Sequence, residues 1–158
     1  MLLPNKNAST VLAAFKDYQA WAERQSGHQI KELRTDRGTE YMGEMIKYIK
    51  SQGIEHNPTA AYSPQSNGVA ERMNRTLFDM ACPMLDAAGA PVELRGYALL
   101  TACHIRNRLP TRSLDAISPH EAWTGQKPRV SHIRKFGRLF YRHIITKSVR
   151  KKLGRKII

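Results

Sequence analysis

Across residues 8–25, Val11, Phe15, Tyr18 and Ala22 recur at spacings of four, three and four. That is the period of an amphipathic helix, entered at a Ser9 or Thr10 cap and stopped near Gly27. Residues 29–36, with Ile30 and Leu33, predict a short strand. Met42, Met45, Ile46 and Ile49 return to the helical period as far as Gly53, and residues 54–59 predict a second strand before Pro64. Turn formers fill Ser63-Pro64-Gln65-Ser66-Asn67-Gly68. Val69, Met73, Leu77, Met80 and Met84 then predict a helix that Pro83 should kink or divide, because proline removes a backbone donor and crowds the preceding turn. Residues 92–109 have so little polar face, through Tyr97, Ala98, Leu99, Leu100, Ala102 and Ile105, that a helix buried in the domain or against a partner is expected. A short helix at 119–123, a turn at 125–128 and a strand-like alternation over 136–143 complete the pattern. Strands alternating with helices place the chain in the α/β class.

At 158 residues and 41% hydrophobic content, the chain suffices for one compact core. Charge changes the picture more than composition does. Lys and Arg number 26 against 13 Asp and Glu, a net charge of +13, which calls for an anionic partner. The surplus is uneven: residues 1–60 carry 8 basic and 7 acidic side chains, residues 61–158 carry 18 and 6. Residues 129–158 hold 11 Lys or Arg and no carboxylate, the composition of a nucleic-acid or anionic-surface tail. No run approaches a membrane span and no leader pattern precedes a cleavage site, so a soluble intracellular protein without a membrane partner is expected. Cys82 and Cys103 form no C-x-x-C pair and are expected to be buried apolar residues. The six histidines lack the i, i+4 spacing of a helical metal pair.

Two carboxylates stand out by context. Asp36 ends the first predicted strand, and Glu71 lies in the first turn after the Pro-Gln-x-Asn-Gly loop. A strand end and a helix start can meet at one sheet edge. Two carboxylates meeting there repel unless a proton or cation bridges them, and hard oxygen ligands suit Mg²⁺ or Mn²⁺. The alternative is that Asp36 caps a turn and Glu71 pairs with Arg75 one helical turn on, a contact of about 0.2–0.5 kcal/mol.

The surrounding text bears on that choice. Arg34-Thr35-Asp36-Arg37-Gly38-Thr39-Glu40-Tyr41 and Tyr62-Ser63-Pro64-Gln65-Ser66-Asn67-Gly68-Val69-Ala70-Glu71-Arg72-Met73-Asn74-Arg75-Thr76 resemble the catalytic core of retroviral-type integrases, specifically those of copia-type LTR retrotransposons. The resemblance continues through Ile105-Arg106-Asn107-Arg108-Leu109-Pro110, Ser118-Pro119-His120-Glu121-Ala122-Trp123 and Lys135-Phe136-Gly137. It implies an RNase H-like α/β fold and a metal-dependent polynucleotidyl transferase that joins element DNA ends to target DNA. Asp36 and Glu71 match the second and third catalytic, metal-holding acids. Gln65, Asn67 and Gly68 match the loop that approaches DNA at the active site; Arg72 and Arg75, on the Glu71 side of the helix and away from the Val69, Met73, Leu77 stripe, are candidate phosphate contacts. Mg²⁺ or Mn²⁺ as cofactor, element and target DNA as partners with RNA as a further candidate, homo-oligomers, and nuclear localisation with a cytoplasmic stage for the parent element are all implied in the same way.

The family's first acid lies on a strand upstream of the segment matched by residues 1–7. The resemblance therefore predicts a truncated core at 1–125 with an incomplete mixed sheet lacking its first strands, followed by a basic extension at 126–158. It also predicts a chain inactive by itself, and Asp17, mid-helix, is a poor substitute. Between Asp36 and Glu71 lie 34 residues, one fewer than the family pattern. Arg37 and Thr39 stand where the family usually reads Asn and Gly. Arg95 and Arg138 fall at positions expected to be buried, which would mark a decaying copy. The rival expectation is a non-enzymatic DNA- or RNA-binding module that uses the basic second half.

Overall fold

A computed structural model of the protein describes residues 2–59 and 68–139. Helix α1 (Ala8–Ser26) begins after Asn7, whose backbone is extended at φ −65°, ψ 143°. Ser9 and Thr10, expected as caps, instead lie inside the first turn, because the chain becomes helical earlier than the apolar period indicates. Gly27 closes α1 in the left-handed conformation, φ +70°, its N–H bonded to the Glu23 carbonyl.

Strand β1 (Glu32–Thr35) pairs in parallel with β2 (Glu55–Pro58), with Leu33 opposite His56 and Thr35 opposite Pro58. Parallel strands need a crossover, here a 3-10 turn (Thr39–Tyr41) and helix α2 (Glu44–Ser51). Met45 and Ile49 of α2 and Ile54 before β2 are buried. Val11, Leu12 and Phe15 of α1 pack on them with Ile30, Leu33, Tyr41 and Tyr48. Phe15 and Tyr48 meet edge to face at 6.4 Å. Buried Gln19 is satisfied on both sides: Tyr48 Oη donates to its Oε1 at 3.1 Å, and its Nε2 donates to Glu23 Oε1 at 3.1 Å.

A second cluster forms where helix α3 (Gly68–Ala88) crosses helix α4 (Arg95–Arg106), itself preceded by a 3-10 turn (Val92–Leu94). Ala81, Ala98 and Ala102 are buried at the crossing, their small side chains allowing close approach. Leu77, Met80, Met84, Leu85, Leu99 and Phe136 fill in around them. Helix α5 (Pro119–Thr124) is capped by buried Ser118, whose hydroxyl accepts the Glu121 N–H at 3.1 Å.

Several expectations are corrected. Pro83 does not divide α3, which runs unbroken from Gly68 to Ala88. The carbonyl deprived of its helical donor is that of Asp79, an exposed residue. Cys82 and Cys103 are exposed, not buried: each follows a buried alanine and is turned about 100° away from the crossing. Only one face of α4 is covered, leaving Tyr97 and Leu100 exposed, and Val69 and Met73 at the start of α3 are likewise uncovered. Arg95 and Arg138 are both exposed, so neither guanidinium is an unpaired buried charge. The predicted strand at 136–143 opens as a turn, and its residues 140–143 lie outside the described residues, as does the rest of the basic tail. Among the described residues no helix is long and apolar enough to cross a membrane.

Candidate active site and nucleic-acid face

Asp36 follows directly on the last residue of β1, at the strand's C-terminal end, and is exposed. Three contacts fix that end. The Thr59 N–H donates to the Thr35 carbonyl at 2.9 Å, continuing the ladder. The Thr35 hydroxyl, buried, donates to the Asp36 carbonyl at 2.8 Å and meets His56 Nε2 at 2.9 Å. With its one hydrogen committed to Asp36, the hydroxyl accepts from Nε2 of His56. Arg37 Nε donates to the Thr59 carbonyl at 3.2 Å.

The Asp36 side chain turns over the following residues. Its Oδ1 accepts the Gly38 N–H at 3.0 Å, an Asx turn. A Cβ placed on Gly38 would lie 2.6 Å from Glu40 Oε2 and 3.0 Å from Asp36 Oδ1, so the two carboxylates flank this glycine. Tyr41 reports the same charge: its phenol is pushed above its ordinary value, first by burial and then by Asp36 and Glu40. Glu40 and Tyr41 were not singled out by sequence reasoning. The Asp-x-x-x-Glu spacing was the available signal, and it needed the turn at Gly38 to become a neighbourhood.

Glu71 is exposed in the first turn of α3. Arg72 folds back over that helix end, so that a Cβ on Gly68 would lie 2.9 Å from its Nη1. A guanidinium over the first turn of a helix adds to the positive potential at that end. Arg75 is exposed one turn on. Gln65 and Asn67 lie outside the described residues. The structure thus groups Asp36 with Glu40 and Tyr41 after β1, and Glu71 with Gly68 and Arg72 at the start of α3. Among the described residues no three His, Cys, Asp or Glu side chains gather closely enough to hold a metal ion. The donor chemistry nevertheless fits a hard cation: Asp36 and Glu71 are exposed carboxylates, and among the described residues only Oδ1 of Asp36 is engaged.

No protein-family model matches this chain. It is 39% identical over 154 residues to the retrovirus-related Pol polyprotein from transposon TNT 1-94 of Nicotiana tabacum, a match covering 97% of the chain and 12% of the polyprotein. To the retrovirus-related Pol polyprotein from transposon RE2 of Arabidopsis thaliana it is 31% identical over 136 residues, covering 86% of the chain and 9% of that protein. The chain therefore spans about a tenth of the length of these curated relatives. Among solved structures, the catalytic core domain of BIV integrase aligns with a TM-score of 0.56 at 23% identity, over 79% of this chain and 76% of that one. The HTLV-2 integrase catalytic core domain in complex with magnesium aligns with a TM-score of 0.54 at 17% identity, over 75% and 71%. At such identities the likeness establishes the fold alone, the RNase H-like α/β fold of those catalytic core domains.

Proposed function

This chain belongs to the integrase cores of copia-type retrotransposon Pol polyproteins, and from that membership we propose that it forms the core of a DNA-integrating polynucleotidyl transferase. The observation that carries the reading is Asp36, an exposed carboxylate whose backbone is pinned at the C-terminal end of β1 by Thr35 and Thr59. With Glu71 it would hold Mg²⁺ or Mn²⁺. Such ions, when bound, activate an attacking oxygen and stabilise a leaving one during displacement at phosphorus. Arg72 and Arg75 draw the phosphate backbone to the start of α3. Gln65, Asn67 and Gly68 approach the nucleotides beside it. The partners are element-end and target DNA, with self-association on them and with nuclear localisation, where target DNA resides.

Manganese binding to the purified chain, followed by calorimetry or electron paramagnetic resonance, tests the metal assignment. Asp36→Asn and Glu71→Gln are each expected to weaken it by roughly tenfold or more, and wild-type binding by both variants would refute the shared site. We further propose that these residues supply two of the three acids, so the chain alone should not transfer an element-end oligonucleotide. Magnesium-dependent product that vanishes in Asp36→Asn would overturn that part. The net charge of +13 favours a second reading, a nucleic-acid-binding module without chemistry. It predicts oligonucleotide binding unchanged by chelator and by both carboxylate substitutions.

A further inference from the structure

Helix α1 has a second apolar face that the core does not use. Val11, Leu12, Phe15 and Ala22 point inward, whereas Tyr18 and Trp21 are turned out and about half exposed. Opposite them stands Trp123 of α5, also half exposed, its ring stacked on that of Trp21 with centroids 6.0 Å apart and planes 10° from parallel. Tyr18 leans on Trp21 at 6.0 Å, extending the surface. These rings border an open groove of about 520 Å³ whose far wall is the end of α4, with Asn107 and Arg108, and His120 of α5. The wall is held together by the His120 N–H, which donates to the Asn107 carbonyl at 2.8 Å.

Arg108 is the second observation. One of its terminal nitrogens, Nη1, donates to the His104 carbonyl at 3.1 Å. Its Nε–H is buried and meets no acceptor among the described residues. A buried donor left unmade is costly, so a shift of the Arg108 side chain that carries the guanidinium to an acceptor in the groove is rewarded. Half-exposed, near-parallel indoles beside the Arg108 guanidinium suit a planar, acceptor-bearing, anionic ligand.

We propose that the Tyr18–Trp21–Trp123 groove binds unpaired nucleotides of a single-stranded nucleic acid, with bases stacked on the exposed indole faces and an acceptor of base or phosphate taken by Arg108. Duplex bases have their faces covered, so only an unpaired segment reaches this surface. The groove's own charge argues against the rival occupant, a proline-rich peptide: that peptide uses the rings but brings no anionic group to Arg108. The groove is also separate from the candidate active site. Trp21 lies near the C-terminal end of α1, which leads through Gly27 into the start of β1, whereas Asp36 lies beyond the other end of that strand. The proposal shares a class of partner with the integration reading and none of its site residues.

The chain contains only two tryptophans and both line the groove, so intrinsic tryptophan emission reports on it directly. Titrating the full chain with a single-stranded oligothymidylate is expected to quench that emission saturably, and the matching duplex to leave it largely unchanged. Asp36→Asn and Glu71→Gln should quench as wild type does, which separates this proposal from the metal site. With a labelled oligonucleotide read by anisotropy, Trp21→Ala or Trp123→Ala should weaken single-strand binding roughly five- to hundredfold, and Trp123→Phe, which keeps a stacking face and the packing, should retain most of it. Single-strand binding that leaves wild-type emission unaltered overturns the proposal. So does a proline-rich peptide that perturbs the emission when the oligonucleotide does not.

Discussion

Asp36 lies where the last rung of a two-stranded ladder gives way to a turn, and its neighbours report its charge. Tyr41 has its phenol raised by burial and by the Asp36 and Glu40 carboxylates. Above pH 10.0 the unfolded chain releases this proton before the folded one does, so the Tyr41 contribution to stability is present below that pH and is lost as pH climbs through the raised value. Asp36→Asn removes one source of the shift, and ultraviolet difference titration should show a tyrosine midpoint moving down toward the ordinary value while burial keeps it above. A midpoint that does not move would detach Tyr41 from Asp36. His104 behaves oppositely. Its Nε2 lies 3.2 Å from that of His132, a contact in which one ring donates and the other accepts. Burial, then Arg108, His132 and His120, lower its pKa. Below pH 6.5 the unfolded chain takes up a proton that the folded one resists, so stability falls as pH drops from 6.5 through the lowered value. Thermal melts across that window should decline more steeply for the wild type than for His104→Asn.

At the scale of elements, packing explains what periodicity does not. Ala98 and Ala102 are fully buried against Ala81, and no side chain larger than alanine fits that crossing without moving the helices. Ala98→Leu is expected to cost about 1–3 kcal/mol, seen as a lower urea midpoint. Ser118→Ala, which strips the buried hydroxyl from the Glu121 N–H, should cost about 0.5–2 kcal/mol by the same measurement. Helices α1 and α2 were legible because apolar residues recur at the helical period in each, and α4 because its apolar run is too long for a strand. The caps were less so: Asn7 begins α1 without any side-chain hydrogen bond, and nothing in the local text distinguishes it from Ser9. Proline at 83 reads as a break only if the carbonyl at 79 must be buried, and exposure of Asp79 is a tertiary fact. The exposure of Cys82 and Cys103 is likewise decided by which face of each helix meets the other.

For the whole molecule, the positions of Asp36 at a strand end and Glu71 in a first helical turn were legible, because both follow from local pattern and motif. The Trp21–Trp123 pair was not, since each looks like an ordinary amphipathic residue until α1 and α5 are brought together. The charge surplus and the aromatic groove then make separable claims about nucleic-acid binding. Ionic contacts release counterions, so the logarithm of affinity falls with the logarithm of salt by about 0.7 per phosphate neutralised on single strands and about 0.9 on duplex. Stacking on an indole releases none. Trp123→Ala should therefore lower single-strand affinity by a similar factor at every salt concentration and leave the slope parallel to that of the wild type. Replacing Arg72 and Arg75 together by glutamine should flatten the slope by up to two such increments, because each guanidinium neutralises at most one phosphate. Anisotropy titrations over a salt series measure both quantities on the same samples. A flattened slope in the tryptophan variant, with an unchanged slope in the arginine variant, would mean that the groove makes the phosphate contacts and the α3 face does not.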